Sequence, residues 1–517
     1  MSTLRKEADY AGENPLTSAV HSAAGQASDQ AQNQIGHHPY AATASPQSAH
    51  ESKTSRGFHL EASWLLPLSL IILLAVLVML PASLAWGARM SLFAFGSAIV
   101  LWTTTRMNAA YVAIVSVLFT VITGAVEQEI LFKSLASDII WLMIGSFIMG
   151  GALQVTGLAH KLTNAIVQRA RTVTNVFWLL TLVIQALAFF IPSTSGRAAV
   201  VLPVYQAISR AIGSKDVTRA LAILMPTIIL VSTISTLIGA GSHLIAVDLL
   251  QQFNGKSISF LQWMLWGMPF GIVASAISCQ VVIRLFLRKE DEQRPIPYET
   301  VSVQFTRNEK YTFGLFGIII TLWLTESWHG IEIATVTMLG AILLTLPHIG
   351  VMKWKDGLKS VSWNLILFVG AALALGSALV ESGAAKWIMD SIFAFAQNIQ
   401  LQSSWLILLF IVLFSLTSHI YITSHTTRAI IMIPSLLYLA SSLQVNETAV
   451  LFISTVGMNY CLTFPVSSKA ILLFQEGEQS AFEPKDLLRL SAYLGVIHFV
   501  LIIAFYYGYW QWAGLAF

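Results

Sequence analysis

The sequence predicts an all-α polytopic membrane protein, an inverted-repeat transporter fold with about eleven transmembrane helices and two re-entrant hairpins. Three observations carry that expectation. The 517-residue chain is 56% hydrophobic and only 11% charged, with a mean hydropathy of +0.70, against about 25% charged residues in soluble domains. Its apolar stretches approach the roughly 20 residues that a spanning helix needs, and the alternating segments of about ten residues that mark barrel strands are absent. Finally, "IPSTSGRAAVVLPV" at 191–204, an arginine set inside an apolar run, returns as "TSHTTRAIIMIPSL" at 423–436.

Taken in chain order, residues 1 to about 57 are rich in Ala, Ser, Gln and His and lack the apolar run that a packed core requires, so a disordered tail is expected. No apolar stretch followed by a small-residue cleavage site precedes Trp64, so no cleavable signal peptide is expected. Spanning helices are expected near 64–81, 90–105, 109–126, 138–159, 219–250, 261–286, 312–328, 331–348, 362–384, 447–474 and 487–513. The apolar regions 176–211 and 404–441 remain. Each is interrupted in the middle by one of the arginine motifs, and its length suits two half-helices rather than two full spans. Cys279 and Cys461 both fall in apolar segments, which argues against a disulfide framework or a paired-cysteine metal site.

If each hairpin returns to its starting side, the positive charges divide unevenly between the two faces. One face collects Arg106, Lys161, Arg169, Arg171, Arg210, Lys215, Arg219, Arg288, Lys289, Arg294, Arg307, Lys310, Lys353, Lys355, Lys359, Lys485 and Arg489. The other holds only Arg89, Lys133, Lys256 and Lys386. The positive-inside rule makes the richer face cytoplasmic, with the amino terminus inside and the second hairpin entering from outside. A cytoplasmic membrane of bacterial type is the expected location.

The two halves align. "MGGALQVTGLA" (149–159) matches "LGSALVESGAA" (375–385), Ser193 falls on Ser424, Arg197 on Arg428 and Pro203 on Pro434, and "GAGSHLI" (239–245) falls on "PVSSKAI" (465–471). Corresponding segments have opposite orientation, so this is an inverted repeat, and interrupted segments in such repeats point to a secondary transporter with its site near the midplane. The motif is doubled because two tips converge on one site.

At the tips the sequence turns hydroxyl-rich, with Ser193, Thr194 and Ser195 in one and Ser424, His425, Thr426 and Thr427 in the other. Such residues cap helices, and the half-helix that follows presents free N–H groups and the positive end of its dipole. A small anionic substrate, carboxylate, sulfate or phosphate, fits that geometry, and two tips suit a dianion. An arginine at membrane depth costs at least about 2.5–3.5 kcal/mol on insertion scales, so Arg197 and Arg428 need a reason. Two readings stand: bidentate contact with substrate, or bracing of the hairpins through backbone carbonyls. Gly239, Gly241, Ser242 and His243 in the first half, and Ser467, Ser468 and Lys469 in the second, form matched polar breaks that are candidates for a coupling site. His419 and His425 lie six apart and do not share the i, i+4 face typical of zinc ligands, so no metal site is expected. No HExxH, GxSxG or Walker sequence stands on a suitable element, so no enzyme, cofactor or nucleic-acid partner is expected.

These tips resemble the divalent anion:sodium symporter family, which carries di- and tricarboxylates or sulfate. Its members repeat Ser-Asn-Thr, then Ala-Thr-Ala and a small apolar run ending in Leu-Pro, and "STSGRAAVVLP" and "SHTTRAIIMIP" follow that spacing without a gap. Thr-Pro-Pro-Asn breaks in two later helices correspond to "GAGSHLI" and "PVSSKAI". The resemblance runs from about residue 60 to the end and implies a homodimer in which a hairpin-containing part moves elevator-like against a fixed scaffold. The chain would then divide into a cytoplasmic tail (1–57), first scaffold helices (58–165), a first transport part (166–290), a cytoplasmic linker (291–311), second scaffold helices (312–395) and a second transport part (396–517). It also implies that Ser193, Thr194 and Ser195, with Ser424, His425 and Thr426, contact substrate, while tips and breaks coordinate sodium. The departures concern that cation. The family's Asn positions become Thr194, His425, His243 and Lys469, and its later Thr positions become Ala240 and Val466. A site that loses oxygens and gains basic groups should bind sodium poorly. Fixed charge from Arg197 and Arg428, helped by Lys469, would replace it and favour obligatory exchange, and histidine offers a route to proton coupling instead. An inorganic oxyanion carrier is the second reading and a non-transporting receptor the third.

Overall fold

The computed structural model describes residues 64–105, 107–167, 169–191, 193–295, 304–388, 390–391, 403–422, 424–475 and 481–517. The tail expected over 1–57, and parts of the segments expected as a linker and as the approach to the second hairpin, lie outside the described residues. The described chain is helical throughout, and its only β pairing is an isolated bridge between Thr172 and Pro295.

The principal helices, numbered in chain order, are α1 (Leu65–Met79), α2 (Trp86–Thr104), α3 (Ala109–Ile122), α4 (Asp138–Thr156), α5 (Leu158–Val167), α6 (Val173–Leu187), α7 (Thr194–Ile212), α8 (Lys215–Val231) and α9 (Gly241–Asn254). They continue as α10 (Phe260–Phe286), α11 (Arg307–Leu324), α12 (Ile333–Thr345), α13 (Trp363–Glu381), α14 (Ser404–Tyr421), α15 (His425–Ser442), α16 (Glu447–Asn459), α17 (Lys469–Gln475) and α18 (Pro484–Phe505). Five stretches are apolar and long enough to cross a bilayer in one run: Asp138–Thr156, Lys215–Ser235, Phe260–Phe286, Trp363–Glu381 and Pro484–Trp510. Every expected span and both hairpins correspond to helices. The two spans that contain polar breaks, 219–250 and 447–474, are each two helices joined by non-helical chain.

Local sequence sets the boundaries. Ser137, Ser193, Ser214, Ser424 and Asn446 each accept a backbone N–H at the start of a helix, and Gly157, Gly213 and Gly255 end α4, α7 and α9 with positive φ. Helices α1, α2, α3, α4, α11, α12 and α13 pack chiefly on one another, and so do α6–α10 with α14–α18. Within the second group the halves interlock. The helix after the first tip, α7, packs on the helix after the second break, α17, with Tyr205 edge-on to Phe474 at 5.5 Å. Conversely α15 packs on α9, with Tyr438 edge-on to Phe253 at 5.2 Å. Each half thus completes the other, which brings tips and breaks to a common centre.

The candidate site between two tips and two helix breaks

Each tip is a helix N-terminus held by its serine. Ser193 Oγ accepts from Gly196 N at 3.2 Å and Ser424 Oγ from Thr427 N at 3.3 Å. The remaining first-turn N–H groups of α7 and α15 keep the partial positive charge of a helix start. Thr194, Ser195, His425 and Thr426 are half-buried, Ser424 is exposed and Thr427 is buried.

Four residues further on, both arginines turn inward and are wholly buried. Arg197 Nη1 donates to Ser232 Oγ at 3.0 Å and Nη2 to Gly239 O at 3.0 Å. Arg428 Nη1 donates to Met458 O at 2.5 Å and Tyr460 O at 3.4 Å. In the second half the guanidinium covers the carbonyl end of α16, whereas in the first it ties the residue that follows α8, through Ser232 Oγ, to the last carbonyl of the break, Gly239 O. Helix C-termini leave acceptors without intrahelical partners and carry negative partial charge, so a cation there satisfies both. Of the two sequence readings of the arginines, the contacts are those of the brace.

In the first break, Ser232–Ser235 and Leu237–Gly239 form short 3₁₀ turns. Non-helical chain at this depth survives only if its polar groups find partners. Trp263 Nε1 donates to Ile234 O at 3.1 Å, His243 Nδ1 to Thr236 O at 3.1 Å, and Arg197 takes Gly239 O. Glycine lets α10 approach this closely, since a Cβ on Gly267 would sit 2.1 Å from Ile234 O. Because a carbonyl only accepts, His243 carries its proton on Nδ1, and in the neutral ring Nε2 accepts from Asn459 Nδ2 at 2.7 Å. That bond ties the first break to the end of α16. In the second break Cys461 lies 2.9 Å from His425 Nε2 and is also a hydrogen-bond partner of Arg428. His425 thereby joins its own tip to the opposite wall, where it feels Arg428, His243 and His419 electrostatically.

The structure therefore brings together most of the residues singled out by sequence, with different divisions of labour. Ser193 and Ser424 are helix caps, and Arg197, Arg428 and His243 are structural ties. Gly239 and Ser242 are buried, Gly241 is half-buried, and Ser468 Oγ caps α17 by accepting from Ala470 N at 3.2 Å. Lys469 is the exception. It is exposed and makes no ion pair among the described residues, unlike the buried His243 at the equivalent position. The side chains of Ser242, Ser467 and Thr236 are buried in the breaks without a hydrogen-bond partner among the described residues. Sequence reading missed Ser232, Thr236, Asn459 and Cys461. The hydroxyl run "STIST" at 232–236, set in an apolar span, was the available signal. No group of three His, Cys, Asp or Glu able to hold a metal ion occurs among the described residues.

Paired N-terminal tips facing paired helix breaks, inside a polytopic helical bundle, define a membrane transporter rather than an enzyme. The comparisons make the family plain: residues 60–516 match the model of the sodium:sulfate symporter transmembrane region, and the chain belongs to that family. Among its relatives, the citrate/succinate antiporter of Escherichia coli K12 is 22% identical over 388 residues, 71% of this chain and 77% of that protein. The sodium-dependent dicarboxylate transporter SdcS of Staphylococcus saprophyticus is 22% identical over 440 residues, 78% of this chain and 83% of that one. The crystal structure of the Alcanivorax borkumensis YdaH transporter superposes with a TM-score of 0.55 at 11% identity, covering 76% of this chain and 88% of that one, a likeness of fold.

Proposed function

We propose that this protein is a secondary carrier of a small divalent organic anion, a C4–C6 di- or tricarboxylate such as malate, succinate, 2-oxoglutarate or citrate, and that it works by sodium-independent exchange. The observation that carries the reading is the use of both tip arginines on the break carbonyls. Oxygens that would otherwise attract a cation are bonded to Nη atoms, which fixes two positive charges behind the tips. A dianion seated at the N-termini of α7 and α15 meets that charge without an accompanying sodium ion. Contacts to it come from Thr194, Ser195, His425 and Thr426, which are accessible at the tips, together with the buried hydroxyls of Ser242 and Ser467.

Without the dianion the two guanidiniums face each other's field uncompensated, so the empty carrier moves reluctantly and exchange dominates. Movement takes the elevator form, α6–α10 and α14–α18 sliding against the remaining helices, in a homodimer of the bacterial cytoplasmic membrane with its amino terminus inside. The relationship to a citrate/succinate antiporter supports exchange, while a sodium-dependent relative marks sodium coupling as the alternative. Sulfate is the second reading, favoured by the description of the family itself.

The test is uptake of labelled malate by proteoliposomes, preloaded with malate or empty, with and without an inward sodium gradient. Uptake only into preloaded vesicles, independent of sodium, is the expected result. Sodium-driven uptake into empty vesicles overturns the exchange reading, and competition by sulfate but not by succinate, malate or citrate overturns the carboxylate reading.

A further inference from the structure

Asp248, on α9, is a carboxyl group without a cation. It is only 8% exposed, and no ion pair among the described residues includes it. Its Oδ1 accepts from Ser137 Oγ at 3.1 Å and its Oδ2 from Gln252 Nε2 at 2.6 Å. Ser137 is the cap of α4, and Gln252 Oε1 in turn accepts from Ser377 Oγ of α13 at 3.0 Å. The group therefore lies on the seam between α9 and two helices of the other packing group, and close approach there is secured by Gly376, where an added Cβ would stand 3.3 Å from Leu249.

The surroundings offer no compensating charge. Asp138 is the one ionisable side chain of α4, it has the same sign, and its field acts on Asp248. Glu381 is the one ionisable side chain of α13, one turn beyond Ser377, and it too has the same sign. From α15 the titratable group on this side is Tyr438, edge-on to Phe253, with Arg428 committed to the second break. On α16, Glu447 is paired with Lys256. Between their ends α4 and α13 present only uncharged residues, "IIWLMIGSFIMGGALQVT" and "GAALALGSALV" among them. A carboxylate dragged along such a surface loses its donors and its access to water, whereas the neutral acid does not carry that penalty.

We infer that Asp248 is a proton-binding site, and that α9 moves past α4 and α13 only after its carboxylate oxygen has taken a proton from the aqueous side on which it starts. The inference rests on the carrier reading above. Proton uptake and release at a single oxygen make and break one O–H bond and need no other reactant.

The experiment is malate–malate exchange in proteoliposomes with equal pH on both sides, followed from acidic to alkaline buffer. Wild type is expected to slow as pH rises, and Asp248→Asn to hold the rate that wild type reaches in acid. Ser137→Ala removes a donor to the charged form, so its decline should shift about one to two pH units towards alkaline. A flat wild-type profile, a wild-type decline in Asp248→Asn, or an unshifted profile in Ser137→Ala overturns the inference. If Asp248→Asn does not fold, the Ser137→Ala comparison decides. If wild type exchanges neither malate nor another dianion, the carrier reading fails, and the site is then judged by infrared titration of the purified protein. A protonated-carboxyl band that appears on mild acidification and is missing in Asp248→Asn supports the site, and its absence overturns it.

Discussion

Replacing Arg197 with alanine is the sharpest probe of how the charge behind the first tip is used. The side chain is fully buried and its two hydrogen bonds, both 3.0 Å, end on Ser232 Oγ and Gly239 O. Ser232 keeps another partner, since its hydroxyl also reaches Ile229 O at 3.3 Å, but Gly239 O loses the partner it has. One orphaned buried acceptor costs about 1–3 kcal/mol, a change of roughly five- to 150-fold in the folding equilibrium. Removing the guanidinium also removes its own burial cost, so the net loss falls at the low end of that range and the variant should remain folded. Function should suffer more. With Gly239 O, Ser232 Oγ and the already unpartnered Thr236 Oγ1 freed, the first break becomes a neutral set of oxygens able to hold a small monovalent cation. Malate exchange by Arg197→Ala is therefore expected to fall at least tenfold in sodium-free buffer, a change of about 1.4 kcal/mol, and to recover with sodium, whereas wild type is expected to be indifferent to it. Exchange at the wild-type rate without sodium, in protein shown monodisperse by size-exclusion chromatography, would refute the argument.

Other outcomes follow from the same geometry. Gly239→Ala places a Cβ 2.1 Å from Thr233 O and should abolish folded protein or transport, whereas Gly241→Ala, whose nearest neighbour is a flexible Met143 methyl at 3.5 Å, should be tolerated; yield and exchange rate separate the two. His243→Ala and Asn459→Ala remove the two ends of one bond between the halves, so a double-mutant cycle in thermal or denaturant stability should give a coupling of about 0.5–3 kcal/mol. Ser193→Ala and Ser424→Ala each delete a helix cap and should each cost about 1 kcal/mol of stability, with the double variant near the sum. Lys469→Ala, at an exposed position, should change stability by less than about 0.5 kcal/mol and respond to sodium as wild type does, which contrasts it with Arg197→Ala in the same exchange assay.

Composition and apolar periodicity made the helical membrane fold legible, because backbone at membrane depth must bond within its own segment and so declares itself as a long apolar run. The tips were legible for a related reason. A hydroxyl cluster and an arginine inside such a run are costly, and their recurrence at matched spacing in both halves points to one shared centre. Helix ends at Ser193, Ser424, Gly213 and Gly255 follow from capping chemistry alone.

What the sequence could not determine was which group satisfies which. Arg197 and Arg428 are consistent, residue by residue, with gripping a substrate or bonding carbonyls, and the bonds they make depend on where the first break and the end of α16 lie once the halves interlock. His243 and Lys469 occupy equivalent positions in the alignment, yet one is wholly buried against Asn459 and Trp263 and the other is exposed. Asp248 reads in sequence as a carboxylate near a helix end, and only the packing of α9 on α4 and α13 makes it a buried acid on a seam. Sequence determined the bilayer-spanning class, the doubled tips and the cost of placing charge there, since these depend on local composition and on separation along the chain. Partners were decided by tertiary structure, because a hydrogen bond across about 3 Å between residues far apart in sequence depends on how whole helices pack, which no local pattern encodes.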